Sequence, residues 1–377
     1  MIIGIPNEQA QNETRVAIYP ELAGNLIDDG FDVVLESEAG TAAGWSNAAF
    51  SDAGCDILES REAVYDAADI VFQVTGVDEG GESYRAGQTV IGMLDPHNLD
   101  EELETLAEQD ITAFALELIP RISRAQSMDA LSSMSSIGGY KAALIAAESL
   151  PKLFPMQMTA AGTVRPADVF VVGAGVAGLQ AIATGERLGA SVRAYDIRPE
   201  VKEEVESLGG EFVELELEAE DASDEEGHAR EQDEAFYEKQ REMMFRVVAD
   251  SDVLITTAAI PGRPSPELVT TKMIEGMDPG SVIVDLAAGG GGNCEPTEPN
   301  ETVVHEGVTI YGPTNLPSTV AHTASRLYAN NLSNFLENMV EDGQLVIDTD
   351  DEIVDATMLT HDGTIRYPPE DDGGDDD

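Results

Sequence analysis

The chain has very little positive charge. Of its 377 residues, 20 are Lys or Arg and 73 are Asp or Glu, which gives a formal net charge of −53. A surface this negative repels the phosphates of nucleic acids and the anionic face of a membrane. Non-specific binding to nucleic acid and electrostatic binding to membranes are therefore excluded as functions.

The acidic residues are spread along the chain and are not confined to its end. Such self-repulsion destabilises a compact state in ordinary salt, whereas at molar salt the Debye length falls to ~3 Å and the repulsion is screened. We therefore expect a protein of a halophilic cytoplasm. The alternative is an ordinary acidic protein with a functional acidic tail at 370–377, a segment that we expect to be disordered.

Cysteine and long apolar runs are also scarce. The two cysteines, Cys55 and Cys294, are too few for a disulfide framework or a cysteine-based metal site. A membrane-spanning helix needs about 20 apolar residues, but glycines and a glutamine interrupt the longest apolar stretch, 169–183. The amino terminus lacks the basic segment of a signal peptide. We therefore expect neither export nor membrane insertion.

Motifs of metal enzymes and hydrolases are missing as well. The five histidines have none of the spacings that zinc enzymes use, and there is no G-x-S-x-G motif. We expect neither a metal site nor hydrolase chemistry.

The apolar residues that are present alternate in a regular way. They make up 42% of the chain, enough for hydrophobic cores, and form two series of β-rich runs separated by helix-like patterns. The strands are predicted at 1–5, 31–35, 69–74, 89–94 and 111–118, then at 169–172, 191–195, 211–215, 253–257, 281–286 and 308–311. This pattern predicts an α/β fold of two Rossmann-like, doubly wound parallel-sheet domains joined by long helices.

Two helix-like stretches, 137–153 and 325–340, are predicted to join the domains. Strand-like runs at 344–347 and 365–367 are predicted to return to the first sheet. The predicted first domain is therefore 1–136 plus 325–369, the second is 137–324, and the acidic tail follows.

A glycine motif follows the first strand of the second series. Gly173, Gly175 and Gly178 form G-x-G-x-x-G between an apolar strand and an Ala-rich helix. These glycines permit a tight turn, close approach of the backbone to a pyrophosphate, and packing of the helix on the sheet. Asp196 ends the next strand, where a carboxylate binds ribose hydroxyls and repels a 2′-phosphate. We predict binding of NAD(H) rather than NADP(H), with Arg198 a neighbour that could soften the preference; the alternative is a tight turn without a ligand.

A polar loop at 120–133 follows the strand 111–118. It contains Arg121, Gln126, Asp129 and Ser132. Loops at the carboxyl ends of strands are where ligands bind in α/β sheets. The alternative is a salt bridge between Arg121 and Asp129 that only stabilises the loop.

Three further segments could reach a cofactor. The glycine-containing stretches 256–262 and 285–294 follow strands, and they either let the backbone approach a dinucleotide or are merely flexible. An acidic stretch at 216–233 could cover the cofactor or remain in solvent.

Taken together, these segments resemble the NAD(H)-binding component, domain I or soluble alpha subunit, of proton-translocating NAD(P) transhydrogenases, in the alanine dehydrogenase and transhydrogenase superfamily. The resemblance covers nearly the whole chain. It lies in residues 3–8, 15–20, 120–129, 159–163, 173–178, 281–287 and 291–294. The block Arg-Ile-Ser-Arg-Ala-Gln within 120–129 is its most discriminating segment.

The resemblance implies roles for the polar loop. Arg121 would hold the nicotinamide carboxamide, Asp129 and Ser132 would orient the nicotinamide or its ribose, and Gln126 would bridge to the second nucleotide. Further positions that match the family around NAD(H) are Val176, Asp196, Ile197, Arg198, Gly227, Gln240 and Ala259. A larger apolar residue is more usual at Ala259, so we expect a looser contact there.

The resemblance also implies partners. NADP(H) would be bound by a partner subunit and protons would be moved by a separate membrane subunit. We expect a homodimer in the cytoplasm, peripherally associated with the membrane through these partners.

Two other functions remain open. An alanine dehydrogenase needs a Lys and a His for acid–base work on pyruvate, but Gln73 stands where the Lys is expected and His97 is offset. A non-catalytic NAD(H) sensor would need only the glycine motif. Direct hydride transfer between two nicotinamides needs positioning rather than acid–base groups, and the polar loop favours it.

Overall fold

The chain forms two compact units. The computed structural model describes residues 1–81, 83–215, 234–260, 262–341 and 343–368. The first unit contains Met1–Met134 and the segment that begins at Pro317, and the second contains Ser135–Leu316. The sequence analysis placed these changes after 136 and after 324, and its domain limits stay a prediction. The tail at 370–377 lies outside the described residues.

The secondary structure alternates as expected of an α/β protein. The strands are β1 Ile2–Ile5, β2 Asp32–Glu36, β3 Asp56–Leu58, β4 Ile70–Thr75, β5 Thr89–Met93, β6 Thr112–Ala115, β7 Gln157–Thr159, β8 Gly162–Val164, β9 Asp168–Val172, β10 Ser191–Tyr195, β11 Glu211–Phe212, β12 Val253–Thr256, β13 Val282–Asp285, β14 Thr302–His305, β15 Val308–Tyr311, β16 Val340–Glu341, β17 Gln344–Leu345, β18 Met358–His361 and β19 Thr364–Ile365.

The helices are α1 Pro20–Asp28, α2 Asn47–Asp52, α3 Arg61–Ala67, α4 Glu101–Glu108, α5 Ala130–Ser149, α6 Val176–Leu188, α7 Lys202–Ser207, α8 Glu234–Ala249, α9 Thr271–Ile274, α10 Ala321–Asn338 and α11 Glu352–Thr357. The polar loop contains a separate 3₁₀ helix, Ser123–Met128.

The sheet of the first unit has the order β19-β18-β6-β5-β4-β1-β2-β3. Its six strands from β3 to β6 are parallel, and the order 3-2-1-4-5-6 is that of a doubly wound Rossmann-like sheet. Parallel strands are covered on both faces, which explains why β4 and β6 read as continuous apolar runs and are almost fully buried. The predicted parallel sheet is confirmed.

The carboxyl-terminal strands were predicted only in part. The strand at 344–347 was expected in the first sheet, but β17 pairs with β16 in a separate two-stranded sheet, so this prediction is wrong. The strand that joins β6 is instead β18, antiparallel, followed by β19 at the edge. Its sequence, Met-Leu-Thr-His, is too short for a clear apolar pattern. Burial comes from its partner strand and from the bond that the Thr360 hydroxyl donates to the Ile111 carbonyl.

The sheet of the second unit has the order β11-β10-β9-β12-β13-β15-β14. Its strands are parallel except for β14, which pairs antiparallel with β15 and was not predicted. Strand order reverses between β9 and β12, the position at which doubly wound sheets bind ligands beside their carboxyl ends. Two Rossmann-like parallel-sheet units confirm the predicted fold class.

Helix α5 carries the chain from the first unit into the second, whereas α10 belongs to the first unit. Within the second unit, α5 lies against the start of α6. A Cβ atom placed on Gly139 would lie 1.9 Å from the carbonyl oxygen of Ala177. The glycine pair at 138–139 therefore serves close packing of two helices and does not mark a helix end.

A search of the described residues finds no helix with the length and apolar character that crossing a membrane requires.

Candidate functional site

The glycine loop between β9 and α6 has the geometry of a dinucleotide site. Gly173 has a φ of 95°, which favours glycine, and a Cβ atom there would lie 2.5 Å from the Thr257 hydroxyl. A Cβ atom on Gly178 would lie 1.9 Å from the carbonyl oxygen of Gly173, whereas one on Gly175 would meet no atom within 4 Å. Two of the glycines are thus required by packing, and the middle one faces open space where a pyrophosphate fits.

The first turn of α6 supplies the complementary charge. Gly175 is the residue before the helix, and Val176 at its first position is 39% exposed. A helix start presents backbone N–H groups and the positive end of the helix dipole to an anion. The residues present therefore fit the diphosphate of NAD(H), and this loop would hold it.

Asp196, at the end of β10, is buried and fully engaged. Its carboxylate accepts bonds from the backbone N–H of Ala174 at 2.7 Å and from the backbone N–H, Nε and Nη2 of Arg198, each at 2.9 Å. The bond to Asp196 raises the pKa of the Arg198 guanidinium. A carboxylate has about four acceptor positions, so a ribose hydroxyl must share or replace an Arg198 bond. Ile197 between them is half-buried.

The loop after β12 is fixed by a side chain that the sequence analysis did not single out. Asn293 accepts a bond from the N–H of Ala258 at 2.9 Å and donates to the carbonyls of Ala258 and Pro266, both at 2.8 Å. Buried Asp285 in turn accepts the N–H of Asn293 at 2.8 Å. Ala259, the next residue, is exposed. The glycine-rich stretch therefore stabilises the neighbouring loop, and only its position after a strand could have indicated this.

Gln240 has a buried acceptor that nothing satisfies. The side chain is 3% exposed, and its Oε1 has no hydrogen-bond partner in the part of the chain that the structure describes. Met244 and Val248 follow at four-residue intervals on α8, and both pack in the core beside Val172 and Tyr195. An unpaired buried acceptor of this kind fits a donor group of a ligand. Gly227, the remaining predicted residue, lies outside the described residues.

A groove elsewhere in the second unit does not belong to this site. Its volume is about 600 Å³, and it is lined by residues of α8 and α9 that include Lys239, Phe245 and Lys272. Neither the glycine loop nor Asp196 contributes to it. We assign it no role in cofactor binding.

The polar loop of the first unit presents two free side chains. Arg121 and Gln126 are exposed, and neither has a hydrogen bond or ion pair within the described ranges. Asp129 is half-buried and accepts a bond from the N–H of Ser132 at 2.7 Å, which places it at the start of α5. The alternative of a salt bridge between Arg121 and Asp129 is therefore wrong, and Arg124 is the loop residue that forms an ion pair, with Asp351 at 2.7 Å.

The first unit also contains buried ionisable groups. Burial raises the pKa of Glu8 and of Glu117 to about 7, although backbone N–H groups of Val74 and of Leu94 and Asp95, respectively, oppose the shift. Burial would also raise the pKa of Glu13, but its bonds to Arg15 outweigh this effect and bring the pKa to about 2. The Tyr328 hydroxyl, fully buried, donates to the backbone carbonyl of Gln73 at 2.7 Å.

The positions expected to carry acid–base groups in an alanine dehydrogenase are structural here. The Gln73 amide donates to the carbonyl of Gly76 and accepts a bond from the Tyr84 hydroxyl. His97 is exposed and its Nδ1 contacts the Tyr367 hydroxyl. Neither side chain is available for proton exchange with an amino acid.

Comparison with known proteins agrees with this geometry. The alanine dehydrogenase/PNT N-terminal domain matches residues 4–138, and the alanine dehydrogenase/PNT C-terminal domain matches residues 142–368. The chain is 46% identical over 377 residues to the first portion of a divided NAD(P) transhydrogenase subunit alpha of Rhodospirillum rubrum, with 98% of each chain covered. It is 45% identical over 374 residues to NAD(P) transhydrogenase subunit alpha of Cereibacter sphaeroides, covering 98% of this chain and 72% of that one.

Solved structures show the same relation. A transhydrogenase from Sinorhizobium meliloti matches with a TM-score of 0.86 at 43% identity, over 97% of this chain and 100% of that one. An L-alanine dehydrogenase matches with a TM-score of 0.80 at 26% identity, over 98% of this chain and 97% of that one. The chain therefore belongs to the alanine dehydrogenase/PNT family, with higher identity to these transhydrogenases than to this alanine dehydrogenase.

Proposed function

We propose that this chain is the NAD(H)-binding catalytic subunit of a proton-translocating NAD(P) transhydrogenase. In this function, hydride passes directly between NADH and NADP⁺ that is bound on a partner subunit. The observation that carries the proposal is the pair of exposed side chains, Arg121 and Gln126, which have no partner among the described residues, on a loop that is otherwise anchored. Family membership and the names of the relatives support it.

Each residue has a distinct role in this reaction. The glycine loop with Asp196 holds NAD(H), whose nicotinamide supplies or accepts the hydride. Arg121 holds the carboxamide, Gln126 bridges to the second nucleotide, and Asp129 and Ser132 set the ring and ribose orientation. No proton transfer by the protein is needed, so positioning these groups is the chain's contribution to catalysis.

The partners of this subunit follow from the relatives' names. The Rhodospirillum rubrum relative is named as the first portion of a subunit alpha that is divided between chains, and it matches this chain over 98% of both lengths. We infer that the NADP(H) site and the proton-translocating membrane portion lie on separate chains. This subunit would then be cytoplasmic and associated with the membrane only through those chains.

A homodimer is the second element of the proposal. The hairpin β7–β8 is exposed along both strands and carries Met158, 74% exposed, and Val164, 43% exposed, with Met156 just before it at 59%. A two-stranded hairpin is marginally stable alone, and these apolar side chains are best covered by the same hairpin of a second copy. Light scattering should give twice the chain mass, and Met158→Glu should give monomers; a monomeric parent would contradict this assignment.

A halophilic origin is the third element. Acidic side chains such as Glu101, Glu104 and Glu108 line the exposed face of α4 while Leu103 and Leu106 are buried. Since molar salt screens such charges, the melting temperature should rise steeply from low to molar KCl. A flat profile would contradict the halophilic interpretation.

One assay tests the catalytic proposal against its alternatives. Stopped-flow transfer from NADH to an NADP analogue is measured with the NADP(H)-binding partner subunit, in parallel with NADH oxidation by pyruvate and ammonium. We expect hydride transfer in the complex and no oxidation by pyruvate. Turnover with pyruvate would identify an alanine dehydrogenase, and NADH binding without either reaction would identify a sensor.

A further inference from the structure

The polar loop is held by a helix that is distant in sequence. The backbone carbonyl of Ser127, in the 3₁₀ helix Ser123–Met128, accepts bonds from the side-chain amides of Asn331 and Asn334, both at 2.9 Å. These asparagines on α10 lie 204 and 207 residues further along the chain. Two donors occupy both lone pairs of one carbonyl oxygen. The loop backbone next to Gln126 is thus bonded to a separate element.

Helix α10 is itself firmly anchored. Asn331 and Asn334 are three residues apart and share one face of the helix, and Asn331 is 5% exposed. The neighbouring Phe335 is fully buried and packs edge-on against Phe114 of β6, with ring centroids 5.4 Å apart. Strand β6 leads into the polar loop, so the helix that carries the two amides is packed against the strand that precedes the loop.

Other contacts restrain the loop less well. Arg124 pairs with Asp351, but the Arg124 side chain is 48% exposed, and exposed ion pairs add little stability. Ala125 and Met128 are buried beneath the loop but do not fix its backbone direction. Gln126 lies between Ala125 and Ser127, and its side chain has no partner in the described portion of the chain. The amides are therefore the polar contacts best placed to fix Gln126.

We propose that Asn331 and Asn334 are positioning residues for Gln126 in hydride transfer. They contact no substrate and act by holding the Ser127 carbonyl, so that Gln126 presents its amide in one place. The proposal depends on the proposed function, because it assigns these asparagines to that reaction. A displacement of about 1 Å in a reacting geometry costs on the order of 100-fold in rate, which makes this bracing measurable.

The test uses the double variant Asn331→Leu/Asn334→Leu in complex with the NADP(H)-binding partner subunit. We expect the single-turnover rate of hydride transfer to an NADP analogue to fall about 10- to 100-fold while the Kd for NADH changes less than about threefold. The matched control is Asn330→Leu, on the same helix, where the amide oxygen accepts a bond from the Tyr19 hydroxyl instead. That control should keep the parent rate.

Two further measurements separate positioning from general stability. Hydrogen–deuterium exchange should speed up at 123–128 in the double variant and remain unchanged in β1 and β4. Asn334→Gln, which keeps an amide donor, should retain more of the transfer rate than Asn334→Leu. If the double variant fails to fold, this pair of single variants at the more exposed position carries the same test.

Each outcome has a definite meaning. A parent-like transfer rate in the double variant, or an equal loss of NADH affinity and rate, would overturn the positioning role and leave the proposed function intact. A parent protein that binds NADH but transfers no hydride in the complex would overturn the proposed function, and the positioning role with it.

Discussion

The glycine loop of the second unit and the polar loop of the first unit achieve order in opposite ways. The glycine loop is specified by its own residues: Gly173 and Gly178 are required where a side chain would collide with backbone or with Thr257. The polar loop has no such local requirement. Its carbonyl at Ser127 is held by Asn331 and Asn334. A binding site for a diphosphate can thus be built locally, whereas a loop that must keep its chemical groups available for a ligand depends on distant support.

The largest expected effect tests the local character of the glycine loop. Gly178→Ala places a Cβ 1.9 Å from the Gly173 carbonyl, and we expect a loss of about 3 kcal/mol in the free energy of unfolding, since overpacked cores cost that much. Gly175→Ala adds a methyl group in open space and should leave stability unchanged while lowering NADH affinity by about tenfold or more. Thermal melts and fluorescence titrations of both variants decide the matter. Equal stability of the two would show that packing does not set this loop.

The next effect tests whether the polar loop acts through its free side chains. Arg121→Ala should weaken NADH binding and hydride transfer together, by about 1.5–3 kcal/mol, because a charge-assisted bond to the carboxamide is lost. Gln126→Asn should leave NADH affinity nearly intact while sharply lowering transfer in the complex. Single-turnover rates and NADH dissociation constants provide the measurements.

Arg124→Ala is the control for these variants. Its guanidinium is already paired with Asp351 at the surface, so we expect a change below about 1 kcal/mol. Unchanged transfer in the Gln126 variant would mean that the loop is only a structural turn.

A third prediction concerns the buried carboxyls of the first unit. Burial raises the pKa of Glu117 from 4.5 to about 7, so the folded state binds the proton more tightly than the unfolded chain. The stability from the neutral form is complete below about pH 4.5 and is lost as the pH rises to about 7. We expect the free energy of unfolding to fall by about 2 kcal/mol over this range because of Glu117.

Glu117→Gln should flatten this dependence, measured by denaturant unfolding at molar KCl. Glu8 acts with the same sign because burial raises its pKa to about 7, so a slope of the same sign should remain. Glu13, with a pKa of about 2, changes only at lower pH, where its protonation destabilises the fold. A slope equal to that of the parent in the Glu117 variant would contradict the assignment.

The smallest expected effect concerns cofactor choice. Since Arg198 partly neutralises Asp196, we expect the parent to prefer NADH over NADPH by about tenfold, which corresponds to about 1.4 kcal/mol. Asp196→Ala should weaken NADH binding and narrow the preference by freeing Arg198 for a 2′-phosphate. Arg198→Ala should widen it. Titrations that show equal affinity of the parent for both cofactors would exclude this role for Asp196.

Much of the fold could be predicted because its signals are local. Apolar runs such as β9 and β12 are continuous, since both faces of a parallel sheet are covered. Strands β3, β14 and β18 were missed, because each is short and gains its burial or pairing from neighbouring strands rather than from a pattern of its own. The acidic insertion at 216–233 stays a prediction outside the described residues.

The sequence by itself determined the two doubly wound sheets, the glycine loop and the shortage of acid–base groups, because strand periodicity and glycine sterics act within a few residues. Only the tertiary structure decided that Asp196 is occupied by Arg198, that Asn293 fixes the loop at Ala258, and that α10 holds the Ser127 carbonyl. Hydrogen bonds of this kind join donors and acceptors far apart in the chain or compete between neighbours. Which pairs form depends on where the folded elements bring them together.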